Sequence, residues 1–408
     1  MGPLGWLRSF LRGSPSSRQP LSLASEGLPP ESARTVQTRP QQMNTFGLRL
    51  LAELSASRRQ QNVFVSPLSV FAALTMAETG SGGETRAAMR RVLAVPPDED
   101  EAAFHNSTSA LLKSLQAQKD VTLSIANALW ADQRFPLSPD FIQECRALYE
   151  AEATTLNFAE PTAANTINAW VYRNTHGKIP NIVDEDALRG AAAVLTNAVY
   201  FKGLWSRPFD KSLTQDGRFH LATGREKKVP MMHRYISKAY RGGKNFEAAI
   251  LRYKSADTYD PGIVLIAVLP AKGKSPEVAL TGINPGELYA SETALLDLRL
   301  PRFNTEYSAS LKPQLVKLGM GVAFGGHADF KPMSSPDFYI GDVLHKTRLE
   351  VDEEGTVAAA ATAVMVTATA MPIPERPKTL VFDRPFGVLL YDTHSGAILF
   401  AGVIYDPS

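Results

Sequence analysis

The chain alternates between segments with a helical period and runs that favour extended backbone. Met43, Phe46, Leu50 and Leu54 fall on one face of a helix predicted over 43–57. Ser66 followed by Pro67 is a favoured helix start, so 67–79 is the second predicted helix. Others are predicted over 84–93, 99–118, 139–149, 162–175 and 309–318. Strands are predicted over 122–130, 192–202, 218–224, 229–232, 247–253, 262–269, 294–300, 343–351, 379–382, 386–392 and 397–404. The run from Ile263 to Leu269 is apolar without alternation, the pattern of a strand covered on both faces. Helices crowd the first half and strands the second, which points to α+β rather than a repeated βαβ unit.

Composition bounds this picture. With 44% hydrophobic and 21% charged residues among 408, the chain can bury a sizeable core and is not disordered throughout. Length alone suggests two or three domains, yet no Gly/Ser-rich linker interrupts the pattern after Gln42. The reading is therefore a disordered leader over 1–40, rich in Pro, Ser and Arg, and a single domain over 41–408. The leader holds Arg8, Arg12, Arg18, Arg34 and Arg39 against Glu26 and Glu31, a surplus of three positive charges that leaves one net negative charge on the body and +2 on the whole chain. The near-neutral body has no global field to attract nucleic acid or an anionic membrane. Met1 to Leu7 lacks an early Lys or Arg, and Arg8 and Arg12 interrupt the apolar run, so there is no clear signal peptide. The uncharged stretch Gly355–Pro374 is too rich in Ala, Thr and Pro to be expected to span a membrane. Cys145 is the single cysteine, which excludes an intramolecular disulfide and a cysteine-based metal cluster; on its predicted helix it reads as a structural, half-buried thiol.

Catalytic signatures are missing. The histidines at 105, 176, 220, 233, 327, 345 and 394 show no zinc-binding helical spacing, and there is no phosphate loop or G-x-S-x-G turn. Gly319, Gly321, Gly325 and Gly326 read as a Gly-rich turn, and Ser81 as a loop residue. No metal or cofactor is expected. Asn106-Ser107-Thr108 matches a glycosylation acceptor, which matters only in a eukaryotic secretory pathway.

The informative segment is EVDEEGTVAAAATAVMVTATAMPIP at 350–374. Four acids, Glu350, Asp352, Glu353 and Glu354, lead to Gly355 and then to small or β-branched uncharged residues. Thr356, Val357, Thr362, Val364, Val366, Thr367 and Thr369 favour strand over helix. Neither alternate face from 356 to 369 carries a charge, a proline or a ring, so the segment fits inside a sheet covered on both sides. Flanked by acids and prolines, it also suits an exposed loop. Compatibility with both states marks a conformational switch.

At this point the residues resemble the serpins. The similarity runs along nearly all of 43–408, through NVFVSPLSVFAALTMAETGSGGET (62–85), INAWVYRNTHGKIPNIV (167–183), LTNAVYFKGLWSRPFD (195–210), LPRFNTEYSASLKPQLVKLGM (300–320), ADF (328–330), HKTRLEVDEEGT (345–356) and FDRPFGVLLYDTHSGAILFAGVIYDP (382–407). One departure is Gly387, where the closing signature has a large apolar residue; weaker local packing is expected there. The resemblance implies a serpin fold of three β-sheets with about eight or nine helices and an exposed reactive loop, and a protease inhibitor rather than an enzyme.

The resemblance assigns roles residue by residue. Glu353, Glu354, Gly355, Thr356, Val357, Ala358, Ala359, Ala360 and Ala361 look like the hinge. Ser66, Ser69, Asn197 and His345 match a polar shutter under the central sheet, and Trp205 the breach where insertion starts. The family's register from Gly355 places the reactive bond at Thr369–Ala370, with Ala368–Thr369 and Ala370–Met371 as the neighbouring alternatives. Met371, Ile373 and Arg376 each precede proline, which disfavours cleavage after them. A small uncharged residue before the cut suits elastase-like or subtilisin-like serine proteases. After cleavage, residues 356–368 would insert as a strand, and about 14 residues at about 3.3 Å each carry the acylated enzyme roughly 46 Å. A charge in that strand would cost several kcal/mol, which separates this reading from a non-inhibitory serpin acting as a binding or scaffold protein. Only Lys113 and Lys119 are basic in 106–119, so no heparin-type cofactor is expected. The implied state is a monomer, in an extracellular or cell-envelope setting.

Overall fold

Every residue of the helix Pro67–Thr79 is buried, and the sheets are layered on either side of it. Ser66 caps the helix, its Oγ accepting from the Ser69 N–H, and Pro67 needs no partner for the N–H it lacks. The computed structural model describes residues 38–237, 239–255, 262–280, 283–290, 295–334, 338–356 and 377–407. Among these are ten α-helices and three sheets, a mixed α+β architecture of the expected kind. Short helices at Glu185–Leu188, Pro276–Leu280 and Pro285–Ala290 are too brief to leave a periodic signal in the sequence.

The central sheet orders its strands as Phe303–Ser310, Ile340–Val351, Gly355–Thr356, Ala193–Leu204, Val121–Asp132 and Glu152–Leu156. Ile340–Val351 and Ala193–Leu204 also pair directly, in parallel, from Ile340 opposite Ala193 to Arg348 opposite Tyr200. Beneath lies Pro67–Thr79, and beyond it a sheet containing Ile398–Ile404, Phe386–Asp392 and Ile263–Pro270. Ile263–Pro270 is buried at every position, as its unbroken apolar run predicts. A four-stranded sheet orders Lys378–Val381, Leu296–Pro301, Glu226–Ile236 and Gln215–His220.

Several expectations need correction. The first helix runs Arg39–Ser57, so Arg39 and Pro40 belong to it and not to the segment before it. Arg39 is buried, pairs with Glu99 and lies over the Phe104 ring. Residues 303–310 form a strand, with Phe303, Thr305, Tyr307 and Ala309 buried and the residues between exposed, and the helix that follows begins at Lys312 rather than 309. Cys145 is fully buried, not half-buried, and burial pushes its thiol pKa up.

Candidate functional site

Three adjacent strands place three polar residues in one row. His345 lies opposite Asn197, and Asn197 opposite Asn127. All are buried beneath the sheet, so each polar atom needs a partner. The Ser66 N–H donates to His345 Nε2 at 3.3 Å, which fixes the ring proton on Nδ1, from where it is donated to Asn197 Oδ1. Asn197 Nδ2 donates to Ser69 Oγ and to Asn127 Oδ1, and Asn127 Nδ2 reaches the Ser69 carbonyl at 3.4 Å. Ser66 Oγ donates to the Leu399 carbonyl at 2.7 Å, tying the row to the sheet below. Burial drives the His345 pKa down to about 3, against a smaller upward pull from Asn197, so the ring is neutral. The structure thus brings Ser66, Ser69, Asn197 and His345 together and adds Asn127, which sequence reasoning missed. Its signal was a lone amide in the otherwise apolar run Ile125–Trp130.

The second feature lies at the end of the same strand pair. Past Arg348 and Tyr200 the two strands part, and Gly355–Thr356 enters between them. Thr356 pairs with Val351 on one side and Gly203 on the other, and Gly355 with Leu204, all antiparallel. A Cβ on Gly355 would fall 2.2 Å from the Gly203 carbonyl oxygen, so only glycine permits this approach. Thr356 Oγ1 and Tyr253 Oη share a hydrogen bond of 2.6 Å. Tyr253 stacks on Trp205 at 4.6 Å, and Trp205 Nε1 donates to the Asp352 carbonyl at 2.8 Å.

Charge anchors the turn before the wedge. Arg302 Nε shares its hydrogen between both carboxylate oxygens of Glu353, at 2.8 and 2.7 Å, Arg302 Nη2 donates to Oε1 at 2.5 Å, and Thr214 adds a third donor. Burial pushes the Glu353 pKa up, but the hydrogen bonds from Arg302 and Thr214 outweigh it and hold the carboxyl below its ordinary range. Lys211 pairs with Glu354. The backbone N–H groups of Trp205 and Phe209 donate to the carbonyls of Glu354 and Glu353 at 2.9 and 2.8 Å. Asp352 Oδ1 accepts from the N–H groups of Glu354 and Gly355. Burial nevertheless keeps its pKa raised, with the neighbouring carboxylates adding to the effect. Trp205, Glu353, Glu354, Gly355 and Thr356 therefore converge, with Arg302, Thr214, Lys211 and Tyr253 as partners that no spacing rule connects to them. Val357, Ala358, Ala359, Ala360 and Ala361, and the pair Thr369 and Ala370 expected at the reactive bond, lie outside the described residues.

A family model described as Serpin (serine protease inhibitor) matches residues 41–407. The chain is a serpin. It is 34% identical over 372 residues to a rat serine protease inhibitor, covering 89% of this chain and 87% of that one. It is 32% identical over 378 residues to bovine leukocyte elastase inhibitor, covering 89% and 97%. Among solved structures, human thyroxine-binding globulin in complex with thyroxine superposes with a TM-score of 0.83 at 25% identity, covering 91% of this serpin and 98% of that chain. Many similar proteins are thus named as protease inhibitors, and one as a hormone-binding protein. Among the described residues of this serpin no helix is long and apolar enough to cross a membrane, and no group of three acidic, His or Cys side chains is placed to hold a metal ion.

Proposed function

We propose that this serpin is a single-use inhibitor of serine proteases that traps its target by inserting its own loop into the central sheet. The wedge of Gly355–Thr356 between Ala193–Leu204 and Ile340–Val351 carries this reading, because the sheet is already parted by the residues that lead into 357–368. Ahead of the wedge the two strands hold each other by a parallel ladder through His345 and Asn197. Inserting a strand replaces that ladder with two antiparallel ones and makes the His345–Asn197 hydrogen bond impossible. The polar row then sets a barrier to insertion, and the intact state persists kinetically.

Cleavage near Thr369–Ala370 frees the loop, and the small side chains of 356–368 let it enter without burying a charge. Small residues at the cut suit the shallow apolar pockets of elastase-like and subtilisin-like proteases. The bovine relative's name, leukocyte elastase inhibitor, supports the same class. On this reading the protein acts as a monomer, outside the cell or in its envelope. The alternative is a carrier that keeps the fold without trapping, favoured by the overlap with thyroxine-binding globulin. Incubation with pancreatic elastase separates them. Trapping yields an SDS-resistant covalent complex and, by mass spectrometry, a released peptide beginning at Ala370; clean cleavage with no complex overturns the proposal.

A further inference from the structure

A cavity of about 440 Å³ opens where the helix Glu101–Gln116 hands over to the strand Val121–Asp132. Leu115, Val121 and Ile263 give it an apolar lining. Lys119 and Lys254 also line it, both exposed and neither paired with an acid among the described residues. The acids along the same wall are engaged. Asp392 is buried and accepts from the Ser395 N–H and Oγ at 2.8 and 2.6 Å and from Gln118 Nε2 at 2.9 Å, with His394 Nδ1 3.7 Å away. Asp120 and His394 have partners of their own. An incoming molecule therefore meets an apolar floor and two ammonium groups, in a volume typical of small-molecule sites.

We propose that this cavity binds a small organic acid, its carboxylate held by Lys119 and Lys254 and its hydrocarbon body on Leu115, Val121 and Ile263, and that occupancy steadies the strand beside the wedge. Three links carry the coupling. Val121 lies opposite Gly203, which lies opposite Thr356. The Lys254 N–H donates to the Leu204 carbonyl at 2.7 Å, and Leu204 lies opposite Gly355. Tyr253, next to Lys254 in the chain, shares the hydrogen bond with Thr356. Completing the central sheet moves Ala193–Leu204 and Val121–Asp132 away from Ile340–Val351 by one strand spacing, about 4.8 Å. Ile263 and Asp392 belong to another sheet. The cavity thus bridges an element that must move and one that stays, so a ligand fitted to the intact arrangement shifts the balance towards it. The effect on loop entry rests on the proposed function, whereas the binding does not.

Octanoate is the probe, with octanol and octylamine as its neutral and cationic counterparts. Calorimetry on the full chain is expected to find one octanoate site, weaker binding of octanol and none of octylamine. Lys119→Glu and Lys254→Glu are each expected to weaken octanoate about tenfold or more with thermal unfolding of the free chain unchanged. At ten times its dissociation constant, octanoate should slow deuterium exchange at the Lys254 and Trp205 amides about tenfold, and with pancreatic elastase it should shift the products from complex towards cleaved chain. A parent chain that takes up no octanoate, or takes octanol or octylamine equally well, overturns the site, as does affinity within twofold of the parent in both variants. Saturable binding with unchanged exchange at both amides overturns the coupling. Absence of any elastase complex without octanoate overturns trapping, while the binding and its exchange signature stand.

Discussion

His345 is neutral because its two ring nitrogens are already assigned, one accepting from the Ser66 N–H and one donating to Asn197. An unfolded chain would bind a proton there near pH 6.5, but the folded one not until about 3. In that window the unfolded state holds more protons, so stability falls as pH falls. Glu353 acts in the same direction further down, since its depressed carboxyl contributes stability above its ordinary range and loses it on protonation. His345→Gln is expected to flatten the slope of unfolding free energy between about pH 6.5 and 4.5, losing up to about 1.4 kcal/mol per pH unit relative to the parent. Urea denaturation across pH checks this, and parallel slopes would count against the neutral-ring account. Not every residue was as legible. Gly387 suggested weak packing, yet a Cβ there would meet Leu280 at 2.8 Å, and Leu280 is itself buried. The missing side chain is supplied by the short helix Pro276–Leu280, from about a hundred residues away in sequence, which no local pattern announces.

Among the elements, the wedge has the strictest steric demand. Gly355→Ala would drive a methyl into the Gly203 carbonyl, and the nearest relief is for Gly355–Thr356 to leave the sheet. The Trp205 amide, which donates to the Glu354 carbonyl, should then exchange with deuterium at least about tenfold faster. Unchanged protection would show that the turn tolerates a side chain. The long amphipathic helices and fully apolar strands were legible because burial imposes its own period. Phe303–Ser310 was not, although its alternation is regular: Leu311, Leu315 and the apolar positions before them also fit a helical count across the boundary. Gly355–Thr356 is too short to signal a strand at all, since two residues become one only through the partners on either side.

At the scale of the molecule, three sheets surround a buried helix, and the proposed trapping requires one strand pair to open without dismantling the rest. The α+β class and the polar residues beneath the central sheet were readable from sequence order and motif. The partners of Glu353, Glu354 and Thr356 were not, because Arg302, Thr214, Lys211 and Tyr253 reach them from separate strands and loops. The central claim is that residues after Thr356 complete the sheet once the loop is cut. Thermal unfolding of the cleaved chain against the intact one tests it most directly. The account predicts that cleavage raises the midpoint by more than about 10 °C, several kcal/mol for a domain of this size, and that Ala360→Arg abolishes the rise. A cleaved chain melting at or below the intact midpoint would contradict it.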